Sequence, residues 1–152
     1  MQDFSGRTAV ITGGASGIGL GMARAFAGRG MQLVLADLDS VLLKKAEQEF
    51  SDAGIAVVTQ TCDVSRLEEI ERLAELTLER FGGVHVVCSN AGVGLPTSAR
   101  NMKLADWEWI INVDLWGPIY TVKTFLPLLE EQEVGHINAT SSMAGLISSQ
   151  MM

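Results

Sequence analysis

Tyrosine, histidine, cysteine and positive charge are all scarce in this chain, and each scarcity removes a class of function. There is one tyrosine, Tyr120. The two histidines are His85 and His136. No second histidine, cysteine or acid stands at metal-ligand spacing from His85, so no metal site is expected and His85 reads as a structural or edge residue. The two cysteines, Cys62 and Cys88, lie at the ends of apolar stretches and read as free buried thiols in a reducing compartment. Eleven Lys and Arg face eighteen Asp and Glu, a net charge of −7, with an isoelectric point near 4.7. That balance argues against nucleic acid and against an anionic membrane surface as partner. No apolar run approaches the ~20 residues that cross a bilayer. Met1-Gln2-Asp3-Phe4 is too polar and acidic to open a secretory leader, so a cytoplasmic protein is expected. Repeats, low-complexity tracts and linkers are also missing, which points to one domain over residues 1–152. What the chain does have is 47% hydrophobic residues and a mean hydropathy of +0.24, enough for a well-buried sheet in a single core.

The most informative stretch is Thr12-Gly13-Gly14-Ala15-Ser16-Gly17-Ile18-Gly19. It follows Thr8-Ala9-Val10-Ile11, an apolar strand, and precedes Leu20, Met22, Ala23, Ala25, Phe26 and Ala27, one helix. Glycines at such a corner permit positive φ and a tight turn. They also let backbone N–H groups approach a phosphate at the positive end of the helix dipole. A diphosphate, hence a dinucleotide, is the ligand such a corner suits. Gly17 and Gly19 occupy the first two positions of a G-x-G-x-x-G pattern, but Met22 stands at the third; no Gly-Lys-Ser/Thr follows, so it is not a P-loop. The plain alternative is a glycine-rich turn with no ligand.

Residues 32–36, Gln-Leu-Val-Leu-Ala, form a second strand that ends at Asp37. An acid about 20 residues past the glycines can hydrogen-bond the adenine ribose hydroxyls and would repel a 2′-phosphate. No Lys or Arg lies between Gly13 and Gly19 or beside Asp37, so NAD is favoured over NADP. The alternative for Asp37 is a helix-capping or loop carboxylate, with Asp39 as an equally good cap. A helix over 41–53 turns Leu42, Leu43, Ala46 and Phe50 inward and stops at Gly54. A third strand over 55–61 leads into Cys62-Asp63-Val64.

Ser65-Arg66-Leu67-Glu68 has the form of a capping box. It opens an amphipathic helix with Leu67, Ile70, Leu73, Ala74, Leu78 and Phe81 on its buried face, ended by Gly82-Gly83. A fourth strand over 84–88 delivers Asn90-Ala91-Gly92 to its carboxyl end, where open α/β sheets bind ligands. A helix over 103–111 carries Trp107 and Trp109, which read as packing residues in preference to the wall of a substrate cleft. A longer helix follows; Pro118 and Pro127 are tolerable near its ends or at a kink. A fifth strand lies within 135–142, followed by Met143-Ala144-Gly145.

The pattern T-G-x-x-x-G-x-G, with Asn90-Ala91-Gly92, resembles the classical short-chain dehydrogenase/reductase family from about Arg7 to Gly145. The resemblance implies an α/β fold, a doubly wound parallel sheet of the Rossmann type with five strands here in the order 3-2-1-4-5. It implies a cofactor site of Gly13, Ser16, Gly17, Ile18, Gly19, Asp37, Asp63, Val64, Asn90, Ala91 and Gly92, with Asp63 at the adenine edge; the alternative for Asp63 is an ordinary loop acid. It implies that Ser142, three residues before Gly145, is the catalytic serine. The family's further catalytic asparagine, in a Val-Asn-Leu-x-Gly context, aligns with Asp114 of Val113-Asp114-Leu115-Trp116-Gly117, a departure, because an ionised Asp accepts hydrogen bonds but cannot donate them.

The family's reaction also uses a Tyr-x-x-x-Lys pair roughly a dozen residues after the serine. The 152 residues contain no such pair: after Tyr120, the lysine comes one position early at Lys123, and Thr124 takes its place. The reading is therefore an NAD-dependent oxidoreductase acting on a small alcohol or carbonyl, its sheet incomplete at the C-terminus and this polypeptide inactive alone. The alternative is a non-catalytic dinucleotide-binding sensor or partner protein. A homo-oligomer is possible, and an exposed apolar edge is expected at the fifth strand.

Overall fold

The computed structural model describes residues 4–147. Five parallel strands alternate with helices: β1 (Thr8–Thr12), α1 (Gly17–Ala27), β2 (Gln32–Asp37), α2 (Ser40–Asp52), β3 (Val57–Thr61), α3 (Leu67–Phe81) and β4 (Val86–Ser89). After these come α4 (Leu104–Ile111), a π-helical segment (Asn112–Trp116), α5 (Gly117–Glu130), β5 (His136–Ala139) and a 3₁₀ turn (Met143–Gly145). The sheet order is β3-β2-β1-β4-β5, so β1 is central and the order reverses beside it. That reversal opens a crevice at the carboxyl ends of β1 and β4.

Period-two alternation divides the core. Ala9 and Ile11 of β1 join Leu33, Leu35, Met31, Leu43 and Phe50 under α1 and α2. Val10 joins Val34, Ile70, Leu73, Val87 and Phe125 under α3 and α5. Both faces of β1 are buried, which is why its sequence is a continuous apolar run without alternation. Among the described residues, β5 is the last strand of the sheet and pairs with β4. Its His136, Asn138 and Ala139 are exposed.

Three local expectations change in detail. Residues 65–68 form no capping box: α3 starts at Leu67 with Arg66 at the N-cap and no side-chain cap. Ser65 instead turns back, its amide and hydroxyl both donating to Asp63 Oδ1 at 3.0 and 2.7 Å. A carboxylate two residues upstream is a nearer and stronger acceptor than the helix amides are donors. On α3, Leu78 is exposed and Thr77 is buried. Thr77 is accommodated because its hydroxyl donates to the Leu73 carbonyl at 2.7 Å, which satisfies its one polar group inside the helix. The long helix after α4 is interrupted by the π segment, in which the Gly117 amide reaches back to the Asn112 carbonyl.

His85 fastens the opposite, amino-terminal edge of the sheet. Its amide donates to the Thr8 carbonyl at 3.0 Å, and its own carbonyl accepts from the His136 amide at 2.8 Å. The Thr8 amide donates to His85 Nδ1 at 3.1 Å, a bond that exists only while Nδ1 is unprotonated. Desolvation, and then the charge of Arg7, hold the imidazole below its usual pKa. A depressed histidine pKa means the unfolded chain takes up the proton first as pH falls. The stabilisation is thus whole above the ordinary value of about 6.5 and is lost as pH falls below it. His85→Gln can still accept through its amide oxygen but does not titrate. Chemical denaturation at pH 7.5 and 5.5 should show a smaller acid-dependent loss in this variant than in the parent; identical losses would remove His85 from the account.

Candidate functional site

The crevice at the reversal point is built by backbone. Gly13 turns the chain off β1 at φ +63°, and Gly17 enters α1 at φ +50°. A Cβ on Gly13 would lie 3.0 Å from Ala91 Cα. A Cβ on Gly19 would fall onto the Gly13 carbonyl. These two glycines let α1 and the residue 90–91 loop close on the corner. Gly17 differs, since a Cβ there would meet nothing within 4 Å and would project into the crevice. Ser16, the N-cap, makes no side-chain cap, so the first amides of α1 have no intrahelical acceptor. The corner presents amides, positive dipole and open space together.

Thr12 and Asn90 lock this corner to β4. Thr12 Oγ1 accepts from the Asn90 and Ala91 amides at 2.9 and 3.1 Å and donates to the Cys88 carbonyl at 3.4 Å. Asn90 Nδ2 donates to the Thr12 carbonyl at 3.1 Å, and its Oδ1 accepts from the Thr140 hydroxyl at 3.0 Å. One asparagine side chain thus ties the carboxyl ends of β1 and β4 to the residue after β5.

The two acids after β2 have separate tasks. Asp39 caps α2, its Oδ1 accepting from the Val41 and Leu42 amides. Asp37 does not cap. Its Oδ2 accepts from the Ala15 amide at 3.1 Å and its Oδ1 from the Asp39 amide at 3.1 Å, which holds the carboxylate beside the glycine corner. Asp63, past β3, carries the Ser65 turn, while its own amide donates to Glu69 at 2.7 Å.

A cavity of about 430 Å³ occupies the crevice. Ten of the residues expected at the cofactor line it: Gly13, Ser16, Gly17, Ile18, Asp37, Asp63, Val64, Asn90, Ala91 and Gly92. Among the described residues lining it, none is Lys or Arg. Gly19, Asp114 and Ser142 do not line it. Gly19 lies behind the corner, buried against Gly13. Asp114 Oδ1 accepts from the Val93 amide at 2.8 Å and so braces the loop that continues from Gly92. Ser142 caps the 3₁₀ turn, its Oγ accepting from the Ala144 amide at 3.1 Å. Tyr120 lies on α5 with its ring stacked on Trp116, centroids 5.6 Å apart, away from the cavity.

Several wall residues lie outside the motifs, among them Leu38, Cys62, Trp109, Val113 and Thr140. The packing role expected of the two tryptophans does not hold: Trp107 and Trp109 are 43% and 44% exposed, and Trp109 lines the cavity. Their helix has no buried residue at all, so its apolar side chains have no core to enter. Trp109 and Val113 stand one helical turn apart, a spacing from which the shared wall could have been read. Burial, with the nearby charges of Glu69 and Asp63, pushes the Cys62 thiol up to about 12; burial alone pushes Cys88 up to about 11. Both are neutral thiols and poor nucleophiles.

The profile of the family described as short chain dehydrogenase matches residues 7–152. A CLA biosynthesis dehydrogenase/reductase of Lactiplantibacillus plantarum is 34% identical over 153 residues, covering 100% of this chain and 54% of that protein. The crystal structure of a short chain dehydrogenase/reductase from Burkholderia phymatum, in complex with NAD, superposes with a TM-score of 0.96 at 39% identity, again covering 100% of this chain and 54% of that one. LigO from Sphingobium sp. strain SYK-6, in its apo form, gives a TM-score of 0.93 at 31% identity over 99% of this chain and 57% of its own. The chain spans about half the length of these relatives.

Proposed function

This chain belongs to the short-chain dehydrogenase family, and from that premise we propose that it holds NAD at the glycine corner, as the cofactor-binding part of an alcohol or carbonyl oxidoreductase. The observation that carries the reading is the Asp37 carboxylate, held by the Ala15 amide at the edge of the same cavity that Gly13 and Gly17 line. The first amides of α1 grip the diphosphate. Asp37 accepts from the ribose hydroxyls and repels a 2′-phosphate, with no Lys or Arg among the described residues lining the cavity to compensate. Asp63 and Val64 take the adenine. When bound, the nicotinamide supplies a hydride donor or acceptor. Ser142 orients the reacting substrate oxygen. Asp114 sets the position of Val93.

The 152 residues contain no Tyr-x-x-x-Lys pair to exchange the substrate's proton. A tyrosine serves as base near neutral pH when a neighbouring positive charge lowers its pKa; the one tyrosine here, Tyr120, stacks on Trp116 and does not line the cavity. This polypeptide alone therefore binds the cofactor without turning over. A stripe of exposed apolar residues on and before α5, Leu115, Ile119, Val122 and Leu126, supports self-association. The two free buried thiols fit a reducing cytoplasm.

Calorimetry with NADH and NADPH tests the site. NADH should bind at least about tenfold more tightly, a difference near 1.4 kcal/mol, with turnover of simple secondary alcohols at background. Equal affinities would defeat the preference, absence of binding would defeat the site, and robust turnover would defeat the claim that the acid–base pair is missing.

A further inference from the structure

We propose that Trp109 forms the outer wall of the cavity at its adenine end and covers one side of the base. This deepens the dinucleotide reading and rests on it. The axis of the α4–α5 stretch is anchored at Gly117, where a Cβ would lie 3.0 Å from Val64 Cγ2. Val113, one turn earlier, is buried in the same cluster as Cys62 and Val64. Trp109 is a further turn out along the same stretch, on α4. The row Gly117, Val113, Trp109 thus runs outward from the Val64 contact, and Trp109 and Val113 line the same cavity as Asp37, Asp63 and Val64.

The exposures point the same way. Trp109 lines the cavity yet is 44% exposed, and Leu38, directly after Asp37, is 70% exposed. Two large apolar groups thus stand open on a cavity whose polar groups at that end, Asp63 and Ser65, are already paired with each other. A flat, weakly polar ring is the kind of group that covers such a wall, and among the parts of a dinucleotide the adenine is the one that reaches this end. Aromatic stacking on a base tolerates imprecise registry, because the whole π-face is attractive.

The chain's three tryptophans provide the test. Intrinsic fluorescence is titrated with AMP and with nicotinamide mononucleotide in the parent, Trp109→Phe and Trp107→Phe, with affinities measured in parallel by calorimetry. AMP should change the emission of the parent and of Trp107→Phe, and that response should disappear in Trp109→Phe while AMP still binds. Trp109→Ala should weaken AMP by about tenfold, in line with the loss of one base-stacking contact, and leave nicotinamide mononucleotide unchanged. Unchanged AMP affinity in Trp109→Ala, or an AMP response that persists in Trp109→Phe, overturns the assignment while leaving the cofactor site standing. Failure of the parent to bind AMP, ADP and NADH alike overturns the cofactor site itself. Should Trp109→Ala not fold, the parent and Trp109→Phe titrations decide the matter.

Discussion

Gly19→Ala is expected to abolish NADH binding and to destabilise the fold by about 3 kcal/mol, at the upper end of overpacking changes. The added methyl would land on the Gly13 carbonyl, 2.7 Å from its carbon and 2.8 Å from Asn90 Nδ2. Neither neighbour is the loose end of a flexible side chain. Gly13 is backbone at the turn, and the Asn90 amide is engaged with the Thr12 carbonyl. Helix α1 must therefore back away from β1, which separates the amides from the cavity. Two neighbouring glycines serve as controls. Gly21→Ala adds a methyl to open space in the same helix and should stabilise by about 0.5–1 kcal/mol. Gly17→Ala also meets no protein atom, but it sits at φ +50° and faces the cavity. It should cost about 1–2 kcal/mol in stability and still lose binding, because the methyl stands where the diphosphate approaches. Urea denaturation and calorimetry on all three separate a corner needed for folding from one needed for the ligand. Retained NADH affinity in Gly17→Ala would contradict the placement of the diphosphate.

Asp37→Asn should bring NADPH affinity up by roughly ten- to a hundredfold relative to NADH. At an effective dielectric near 20, like charges about 4 Å apart repel by ~4 kcal/mol; partial exposure and salt reduce that to the range given. Asn is the informative replacement. Its amide oxygen can keep one of the two backbone bonds, to the Ala15 or the Asp39 amide, while the charge is removed. Asp37→Ala loses both bonds, so a change seen only there would reflect a disturbed loop. If the NADPH-to-NADH ratio is unmoved by Asp37→Asn, the carboxylate is not the discriminating group.

The sheet and the glycine corner were legible because each rests on local necessity. β1 and β2 are unbroken apolar runs since both faces of each are covered, and a strand entering a helix through Gly13 and Gly17 has few other uses. The boundary between Asp37 and Asp39 was not legible. Both can cap, and only the three-dimensional nearness of the Ala15 amide separates them. Ser65 likewise has two possible partners, and the competition with Asp63 is decided by distance. The π segment leaves no mark in a periodic pattern, since one wider turn shifts the phase without altering composition. Trp109 reads as a packing residue because its apolar character suggests burial, whereas whether a helix face meets protein or an open cavity depends on what stands opposite. Leu78 and Thr77 exchanged places for a similar reason: a threonine bonded to its own helix is as admissible inside as a leucine one position on.

The shared lock between Thr12 and Asn90 also sets an order of events during synthesis. These residues are 78 positions apart, and the strands they terminate are neighbours in the sheet. β1, β2 and β3 can pair as soon as the first sixty or so residues are free of the ribosome. The closing contacts await β4 and carry the loop-closure penalty of a distant partner. A nascent chain therefore acquires a partial sheet well before it has a finished anion cradle, and until Asn90 arrives the central strand's far edge stands open to other chains.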